Sequence, residues 1–523
     1  MRIGIDVGGT NTDAVLMDGQ SVLAAVKTAT TRDVTSGITT ALAELRRQRA
    51  FDPAAVHAVM IGTTHFINAL VEADRLAPTA AVRLGLPSTA SLPPMVDWPE
   101  RLVKAIKGRA YLCHGGHEFD GRHIAELRED EILKVAEDLD RHGIRSVAIS
   151  SVFSPVNAEF EQRAAEILTG QLPGLAVSLS AEVGRMGLLE RENATIINAS
   201  LRELAGRIVD GLADTLAAAG IRAPLYLSQN DGTLMDVEFA RRYPVATFAS
   251  GPTNSMRGAA FLSGVQTCAV VDVGGTTSDI GVLQNGFPRE ATTEVSVAGI
   301  RTNFRMPDVL SLGIGGGSRV RGAGGDEGGT VTVGPDSVGY RLAEEALVFG
   351  GGTLTATDVA VAAGRAEIGD PALVRGVDRS LAEAALRRIA ADIADAIERM
   401  RTSPDPLPVV AVGGGSILLP DSFGDSGPVH RPEHFAVANA IGAAIAQIGG
   451  EVDRIFPVEP GQRRAVLDAA KQEAVDKAIA AGAKPGTVHV VEVDEVPLAY
   501  LPGNATRIRV KAVGDLQLEA VRG

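Results

Sequence analysis

The octapeptide DVGGTNTD at residues 6–13 recurs as DVGGTTSD at residues 272–279, 266 positions further along the chain (272 minus 6). Both copies contain an Asp, two glycines and hydroxyl side chains in the same order. Apolar runs lie on both sides of each copy: RIGIDV and AVLMDG around the first, CAVVDV and IGVLQNG around the second. This pattern predicts two β-hairpins with glycine-rich turns.

A turn of small residues exposes successive backbone N–H groups, which suit phosphate oxygens. One such turn would be weak evidence, but the duplication indicates an anion held between two halves of the chain. We expect Asp6 and Asp272 to act in catalysis and to hold a hydrated Mg²⁺ beside the phosphates. The predicted phosphate-binding residues are Gly8, Gly9, Thr10, Asn11, Thr12 and Asp13 in the first copy and Gly274, Gly275, Thr276, Thr277, Ser278 and Asp279 in the second.

A third glycine run follows the apolar segment VVAV at residues 409–412. Gly413, Gly414, Gly415 and Ser416 would let a nucleobase or ribose lie against the backbone. Taken alone, this run favours a plain strand-to-helix turn; beside the two hairpins, it predicts an adenosine-binding loop.

Length and composition limit the possible classes of protein. The 523 residues exceed what one hydrophobic core usually organises, so two or three domains are expected. A net charge of −14 argues against nucleic acid or an anionic membrane as a partner. The two cysteines, the absence of a signal-peptide-like start and the absence of a long apolar span predict a cytoplasmic protein.

Apolar periodicity predicts alternating strands and helices, and therefore an α/β fold. Helices are expected at 34–48, 127–143, 194–220 and 463–482, and buried strands at 144–153 and 406–415. The segment HFAVANAIGAAIAQIGG (434–450), small at nearly every position, predicts a helix packed closely between two domains, with Gly442 and Ala443 permitting the close approach.

Two phosphate hairpins followed by an adenosine-type loop resemble the actin-like ATPase superfamily. More closely, the chain resembles the hydantoinase A and 5-oxoprolinase family, through IGTTHFINALVEAD (61–74), GGHEFDG (115–121), SGPTNSMRGA (250–259) and SLGIGGGSRV (311–320). The resemblance implies an α/β fold in which two ribonuclease-H-like domains enclose a nucleotide cleft. Its expected parts are an N-terminal hydantoinase/oxoprolinase-type domain (1–180), a second ATPase domain (181–460) and a small C-terminal α+β extension (461–523).

The resemblance also implies an ATP- and Mg²⁺-dependent hydrolase that opens a cyclic amide or imide through a phosphorylated intermediate. Hydantoin, 5-oxoproline and a lactam all remain open as the substrate. The alternatives are a small-molecule kinase and an accessory ATPase subunit of a carboxylase-like complex. We expect an oligomer, with a hydantoinase-B-like or other subunit as a possible partner.

Two further segments are candidates for contacts with the substrate. Gly62, Thr63 and Thr64 follow a buried strand and lead into a helix, whose N-terminal N–H groups favour a polar ligand. His65 is a candidate general base or carbonyl-orienting group, with a structural hydrogen bond as the alternative. Gly315, Gly316 and Gly317 could wrap a substrate or phosphate, or form a plain loop.

The segment CHGGHEFDGRH (113–123) invites a zinc interpretation through Cys113, His114, His117, Asp120 and His123. The spacing fits no established zinc-finger pattern, and Gly-Gly and Asp-Gly are typical of turns. The sequence therefore favours a connection between strands near the cleft.

Overall fold

The computed structural model describes residues 1–30, 34–291, 295–322, 331–424, 427–498 and 504–518. The strands, numbered in chain order, are β1 (Arg2–Val7), β2 (Asn11–Asp18), β3 (Ser21–Ala29), β4 (Ala58–Thr63), β5 (Thr79–Leu86), β6 (Arg109–His114), β7 (Ser146–Ser151), β8 (Ala176–Leu179), β9 (Leu225–Ser228), β10 (Thr233–Asp236), β11 (Cys268–Val273), β12 (Ser278–Gln284), β13 (Phe287–Pro288), β14 (Val295–Val297), β15 (Ile300–Thr302), β16 (Val309–Leu312), β17 (Ser318–Arg321), β18 (Thr332–Ser337), β19 (Val409–Val412), β20 (Val429–His430), β21 (Gln447–Pro457), β22 (His489–Pro497) and β23 (Ala505–Gly514).

The helices alternate with these strands. They are α1 (Val34–Gln48), α2 (His65–Glu72), α3 (Glu100–Ala105), α4 (Glu129–Arg141), α5 (Glu159–Gln171), α6 (Ser180–Val183), α7 (Leu188–Ala218), α8 (Val237–Arg242), α9 (Ser250–Ser263), α10 (Leu342–Glu345), α11 (Ala356–Ala362), α12 (Arg379–Met400), α13 (Ala438–Ala444) and α14 (Arg463–Ala480).

Two sheets repeat the same topology. In the first, the inner order is β3-β2-β1-β4-β9, with β1, β2 and β3 antiparallel and with β4 parallel to both β1 and β9. In the second, the antiparallel strands β16, β12 and β11 are followed by the parallel strands β19 and β20. This repeat confirms the prediction of an α/β fold built from two ribonuclease-H-like domains.

A third, all-parallel sheet has the order β6-β5-β7-β8. The helices α4 and α5 bury apolar side chains on one face of it, among them Ile132, Leu139 and Leu168. The long helix α7 covers the other face, where Ala81 and Ala148 join its core. This sheet therefore forms a separate layer beside the first sheet.

The predicted C-terminal helix and strands are present as α14, β22 and β23. Both strands extend the first sheet, because β23 pairs with β21 along ten residue pairs from Ile448–Gly514 to Pro457–Ala505. The first sheet also takes β9, β10 and β21 from residues 181–460. The linear boundaries at residues 180 and 460 stay a prediction.

Helices α9 and α13 cross between the two repeated sheets. Helix α13 packs on β1 and β2 through Ala440 and Ile441, and α9 packs on β11 through Met256. The predicted close packing at Gly442 is confirmed, since a Cβ there would lie 1.8 Å from the backbone oxygen of Asn254.

The predicted length of this helix was wrong, because α13 ends at Ala444 and β21 begins at Gln447. The start of β21 alternates between half-buried and buried residues, which is the two-residue period of a strand. Small residues are compatible with the period of a helix and with that of a strand. The sequence pattern therefore did not show where the helix ends and the strand begins.

Among the described residues, no helix has both the length and the apolar character needed to cross a membrane.

Candidate functional site

The two glycine turns have the same geometry. Hairpin 1, formed by β1 and β2, is closed by a hydrogen bond of 3.0 Å from Gly8 N–H to the Asn11 carbonyl. Hairpin 2, formed by β11 and β12, is closed by the equivalent bond of 2.9 Å from Gly274 N–H to the Thr277 carbonyl. The repeated motif therefore forms the same turn twice, as the sequence predicted.

The two turns approach each other. A Cβ placed on Gly275 would lie 3.3 Å from Cγ2 of Thr10, so the tips are in near contact across the cleft. Gly9 and Thr277 at the tips are exposed, and Thr10 and Thr276 are half-buried. The tips are accessible to a ligand from solvent.

The hydroxyls nearer the base of each turn have partners inside the protein. Ser278 Oγ donates to the Ile314 carbonyl over 2.6 Å, and Thr12 Oγ1 lies 3.3 Å from Thr30 Oγ1. Both Thr12 and Ser278 are fully buried. Of the predicted hydroxyl donors, those of Thr10, Thr276 and Thr277 are the more accessible.

A carboxylate pair lies at the base of each turn. Asp6 is directly opposite Asp13 in hairpin 1, and Asp272 is opposite Asp279 in hairpin 2. The pKa of Asp6 is raised to about 6, chiefly by burial and also by the charges of Asp13 and Asp272, against the opposing hydrogen bonds of two asparagines. Burial likewise raises the pKa of Asp279 to about 6, and it raises the pKa of both Asp13 and Asp272. The structure thus brings together four acids, and the charge of a neighbouring acid adds to burial in raising the pKa of Asp6, Asp272 and Asp279.

Three groups around these acids were missed from the sequence. Asn254 Nδ2 on α9 donates to Asp6 Oδ1 over 3.2 Å, and Asn439 Nδ2 on α13 bridges Asp6 Oδ2 (3.0 Å) and Asp13 Oδ2 (2.8 Å). Lys27 on β3 donates to Asp13 over 2.7 Å. Asn254 lies in the SGPTNSMRGA segment, whereas nothing local in the sequence marks Asn439.

The predicted adenosine loop lies against hairpin 2. A Cβ on Gly413 would lie 2.3 Å from Asp272 Oδ1, and one on Gly415 would lie 2.6 Å from Val273 Cγ1, so both positions require glycine. Gly414 is exposed and faces open space. Ser416 Oγ is buried and has no hydrogen-bond partner.

The second glycine segment supports hairpin 2 from behind. Gly316 N–H donates to the Gly274 carbonyl over 2.9 Å, and Gly317 N–H donates to the Gly275 carbonyl over 2.7 Å. A Cβ on Gly315 would lie 2.6 Å from Thr276 N. These residues hold the turn in place, and their contact with a substrate stays a prediction.

The segment from Gly62 to His65 lies beside hairpin 1. Gly62 is opposite Asp6 in the parallel pair of β1 and β4, and a Cβ there would lie 2.3 Å from Asp6 Oδ1. Thr64 precedes α2 and donates its backbone N–H to the Val7 carbonyl over 3.4 Å. His65 Nδ1 lies 2.7 Å from Thr63 Oγ1, so this imidazole is held at the start of α2.

The two raised pKa values predict a pH dependence of stability. The pKa of Asp6 and of Asp279 is about 6 in the folded chain against 3.8 for the unfolded group, so folding favours the protonated acids. Their contribution is complete below about pH 4 and is lost as the pH rises through about 6. We expect the melting temperature of the ligand-free chain to fall over this interval by more than that of an Asp6→Asn, Asp279→Asn variant. Parallel melting curves for the two proteins would contradict the assignment.

Comparison with known proteins places the chain in context. The model of the hydantoinase/oxoprolinase N-terminal region matches residues 2–172, and that of hydantoinase/oxoprolinase matches residues 191–412. Caprolactamase subunit alpha of Pseudomonas jessenii is 29% identical over 472 residues, which cover 85% of this chain and 65% of that protein. The acetone carboxylase beta subunit of Xanthobacter autotrophicus is 25% identical over 260 residues, covering 48% of this chain and 34% of that protein.

Solved structures share the fold. The ATP-dependent caprolactamase from Pseudomonas jessenii has a TM-score of 0.79 at 20% identity, covering 99% of this chain and 88% of that one. Nucleotide-free acetone carboxylase has a TM-score of 0.69 at 17% identity, with the same coverage of both chains. The two family models together span most of the residues that carry the hairpins and the layers around them, and the chain therefore belongs to the hydantoinase/oxoprolinase family.

Proposed function

We propose that the chain binds ATP and Mg²⁺ between its two hairpins. The observation that carries this proposal is the meeting of two matching turns at Thr10 and Gly275, each with a carboxylate at its base. A single glycine turn can serve simply as a tight connection. Two facing turns on separate sheets suit an anion held between two domains.

Asp6 and Asp272 are the proposed Mg²⁺ residues. These two acids suit a cation, because burial and the negative charge of neighbouring carboxylates raise the pKa of both. A divalent cation would relieve the repulsion between these carboxylates. Proteins usually hold hydrated Mg²⁺ through one or two carboxylates and phosphate oxygens, which matches this pair. The turns at 8–13 and 274–279 would hold the phosphates.

The loop from Gly413 to Ser416 is the proposed adenosine site. The open space at Gly414 leaves its backbone approachable, and the buried Ser416 hydroxyl lacks a partner within the protein. Gly413 and Gly415 keep the loop against hairpin 2, so a nucleoside there would extend from phosphates held at the turn.

We further propose that the chain uses ATP to open a cyclic amide or imide. An amide is a poor electrophile, and transfer of the γ-phosphoryl group to its oxygen makes the carbonyl carbon open to attack by water. Phosphoryl transfer depends mainly on positioning and charge neutralisation, which the hairpins and their carboxylates would provide. Gly62, Thr63, Thr64 and the segment Gly315–Gly317 are proposed to face the substrate.

A partner subunit belongs to this proposal. The chain spans 65% of caprolactamase subunit alpha, and the similar caprolactamase and acetone carboxylase chains are themselves named as subunits. We propose that a hydantoinase-B-like subunit assembles with this chain and completes the hydrolytic site.

Product analysis tests the proposed reaction. The chain and its co-purified or neighbouring-gene partner would be assayed with hydantoin, 5-oxoproline and caprolactam, each carrying ¹⁸O in the ring carbonyl. Equal amounts of ADP, phosphate and ring-opened carboxylate are expected. A first water attacks the carbonyl carbon and the C–N bond breaks, which releases the ring nitrogen as an amine and leaves an acyl phosphate. The ¹⁸O should then appear in phosphate, because a second water attacks the same carbon and the bond from carbon to the phosphorylated oxygen breaks.

The same assay separates the alternatives. A small-molecule kinase would leave phosphate on an organic product. An accessory ATPase would release phosphate at a rate that none of the cyclic amides changes. Either result would overturn the hydrolase proposal.

His65→Ala is expected to lower kcat by about 100-fold or more if His65 acts in proton transfer, within the usual range for a general acid or base. ATP affinity should change little, because His65 lies at the start of α2, outside both turns, where its Nδ1 is 2.7 Å from Thr63 Oγ1. Steady-state kinetics and nucleotide titration measure the two effects separately. Equal losses of kcat and of ATP affinity would assign His65 a structural role instead.

A further inference from the structure

A tight hairpin follows β6 and carries two histidines on one side. Glu118 N–H donates to the Arg122 carbonyl over 2.7 Å, and Ile124 N–H donates to the Gly116 carbonyl over 2.8 Å. Between these bonds His117 and His123 form a directly opposed antiparallel pair. Side chains of opposed residues project to the same face, so the two imidazoles are neighbours.

A carboxylate completes the group. Glu159 is the first residue of α5, and its Oε1 lies 3.0 Å from His117 Nε2 and 2.9 Å from His123 Nε2. One ligand atom from each of the three residues falls within 4.8 Å of the others. Tetrahedral ligands at about 2.0–2.1 Å from zinc are roughly 3.3 Å apart, so a small outward shift would accommodate the ion.

Neighbouring side chains hold the two imidazoles with their Nε2 atoms toward Glu159. Glu126 Oε1 lies 3.0 Å from His123 Nδ1, which leaves His123 Nε2 for a metal in the carboxylate–histidine–metal arrangement common in zinc proteins. The ring of Phe160 packs against both imidazoles, with centroids 4.5 Å from His117 and 4.7 Å from His123.

Of the three residues, His117 is the most deeply buried. Its side chain is fully buried, and its Nδ1 has no hydrogen-bond partner. A cation bound at Nε2 would give this buried imidazole a strong interaction. His123 and Glu159 are 37% and 50% exposed, so an ion can enter from solvent and keep a water ligand.

We propose that His117, His123 and Glu159 bind one Zn²⁺, with water as the fourth ligand. Two histidines and a carboxylate form an established zinc set, and imidazole favours zinc over Mg²⁺. The ion would fasten the hairpin to the start of α5. This site is independent of the nucleotide and of the proposed reaction.

This ligand set differs from the zinc candidates of the segment 113–123, because it leaves out Cys113, His114 and Asp120 and adds Glu159. Burial raises the pKa of the Cys113 thiol to about 12, aided by the charge of Glu131, so the thiolate that zinc requires is disfavoured. His114 Nδ1 is held 2.8 Å from Glu131 Oε1. Glu159 lies 36 positions beyond His123, which is why the local spacing fits no zinc pattern.

Zinc binding to the full-length chain tests the site. The chain would be stripped with a chelator, given Zn²⁺ in excess Mg²⁺ and analysed for retained metal by mass spectrometry and chelator competition. We expect one zinc per chain, and binding weaker by at least about 10-fold in both His123→Gln and Glu159→Gln, as even the loss of outer supporting groups costs this much.

His142→Gln is the matched control, because His142 is a partly exposed histidine at the end of α4, bonded to the Asp138 carbonyl. It should bind zinc as the unaltered chain does. Circular dichroism would establish that the zinc-free variants retain their fold. No retained zinc in the unaltered chain, or equal affinity in all four proteins, would overturn the proposal, and His117, His123 and Glu159 would then be a hydrogen-bonded cluster alone.

Discussion

Replacing Asp6 and Asp272 together with asparagine is expected to weaken binding of Mg²⁺ with a non-hydrolysable ATP analogue by about 100-fold or more. Each substitution keeps the shape of the side chain and removes one charge from the proposed cation site. Interactions of charged groups contribute about 1.5–3 kcal/mol each, so two losses amount to roughly 3–6 kcal/mol. Isothermal titration with and without Mg²⁺ measures the effect, and the Mg²⁺ dependence of binding should disappear with it.

The two substitutions should weaken binding without unfolding the chain. The raised pKa of Asp6 means that burying its charge costs stability near neutral pH, so a neutral asparagine should leave the ligand-free chain folded. Asp18→Asn is the matched control, since Asp18 lies on the same hairpin but is exposed at the far end of β2. Unchanged affinity in the double variant would refute the assignment of Mg²⁺ to these two acids.

The hairpins could be predicted because everything that forms them is local. An apolar strand, a turn of small residues and a second apolar strand specify their own pairing, and the duplicated motif gave the same register twice, with Asp6 opposite Asp13 and Asp272 opposite Asp279. Two turns of one motif also predicted a repeated fold. The structure confirms this through matching strand orders in both sheets.

The polar groups that hold the acids could not be predicted in the same way. Asn254 reaches Asp6 across 248 positions of sequence, and Asn439 reaches it across 433. Only the crossing of α9 and α13 brings them together. Lys27 is different, because it lies opposite Asp13 in the pairing of β2 and β3, and an opposed acid and base on adjacent strands is a signal that the sequence contains.

Gly442→Ala is expected to lower the stability of the chain by about 2–3 kcal/mol, although alanine favours a helix by about 1 kcal/mol over glycine. The added Cβ would lie 1.8 Å from the backbone oxygen of Asn254, and on the other side of the crossing a Cβ on Gly258 would lie 1.9 Å from the Ala438 oxygen. Backbone cannot move aside as a flexible side chain can. The two helices must therefore separate, and the melting temperature should fall.

Gly170→Ala is the matched control for this substitution. Gly170 lies in α5, is exposed, and would place its Cβ in open space, so alanine there should leave stability unchanged or raise it by up to about 1 kcal/mol. Separation of α9 from α13 should also draw the Asn254 amide away from Asp6, to which it donates over 3.2 Å. Gly442→Ala should therefore weaken Mg²⁺–ATP binding as well, while Gly170→Ala should not. If Gly442→Ala melted at the same temperature as Gly170→Ala and bound nucleotide equally well, the close helix crossing would not couple the two sheets to the site between them.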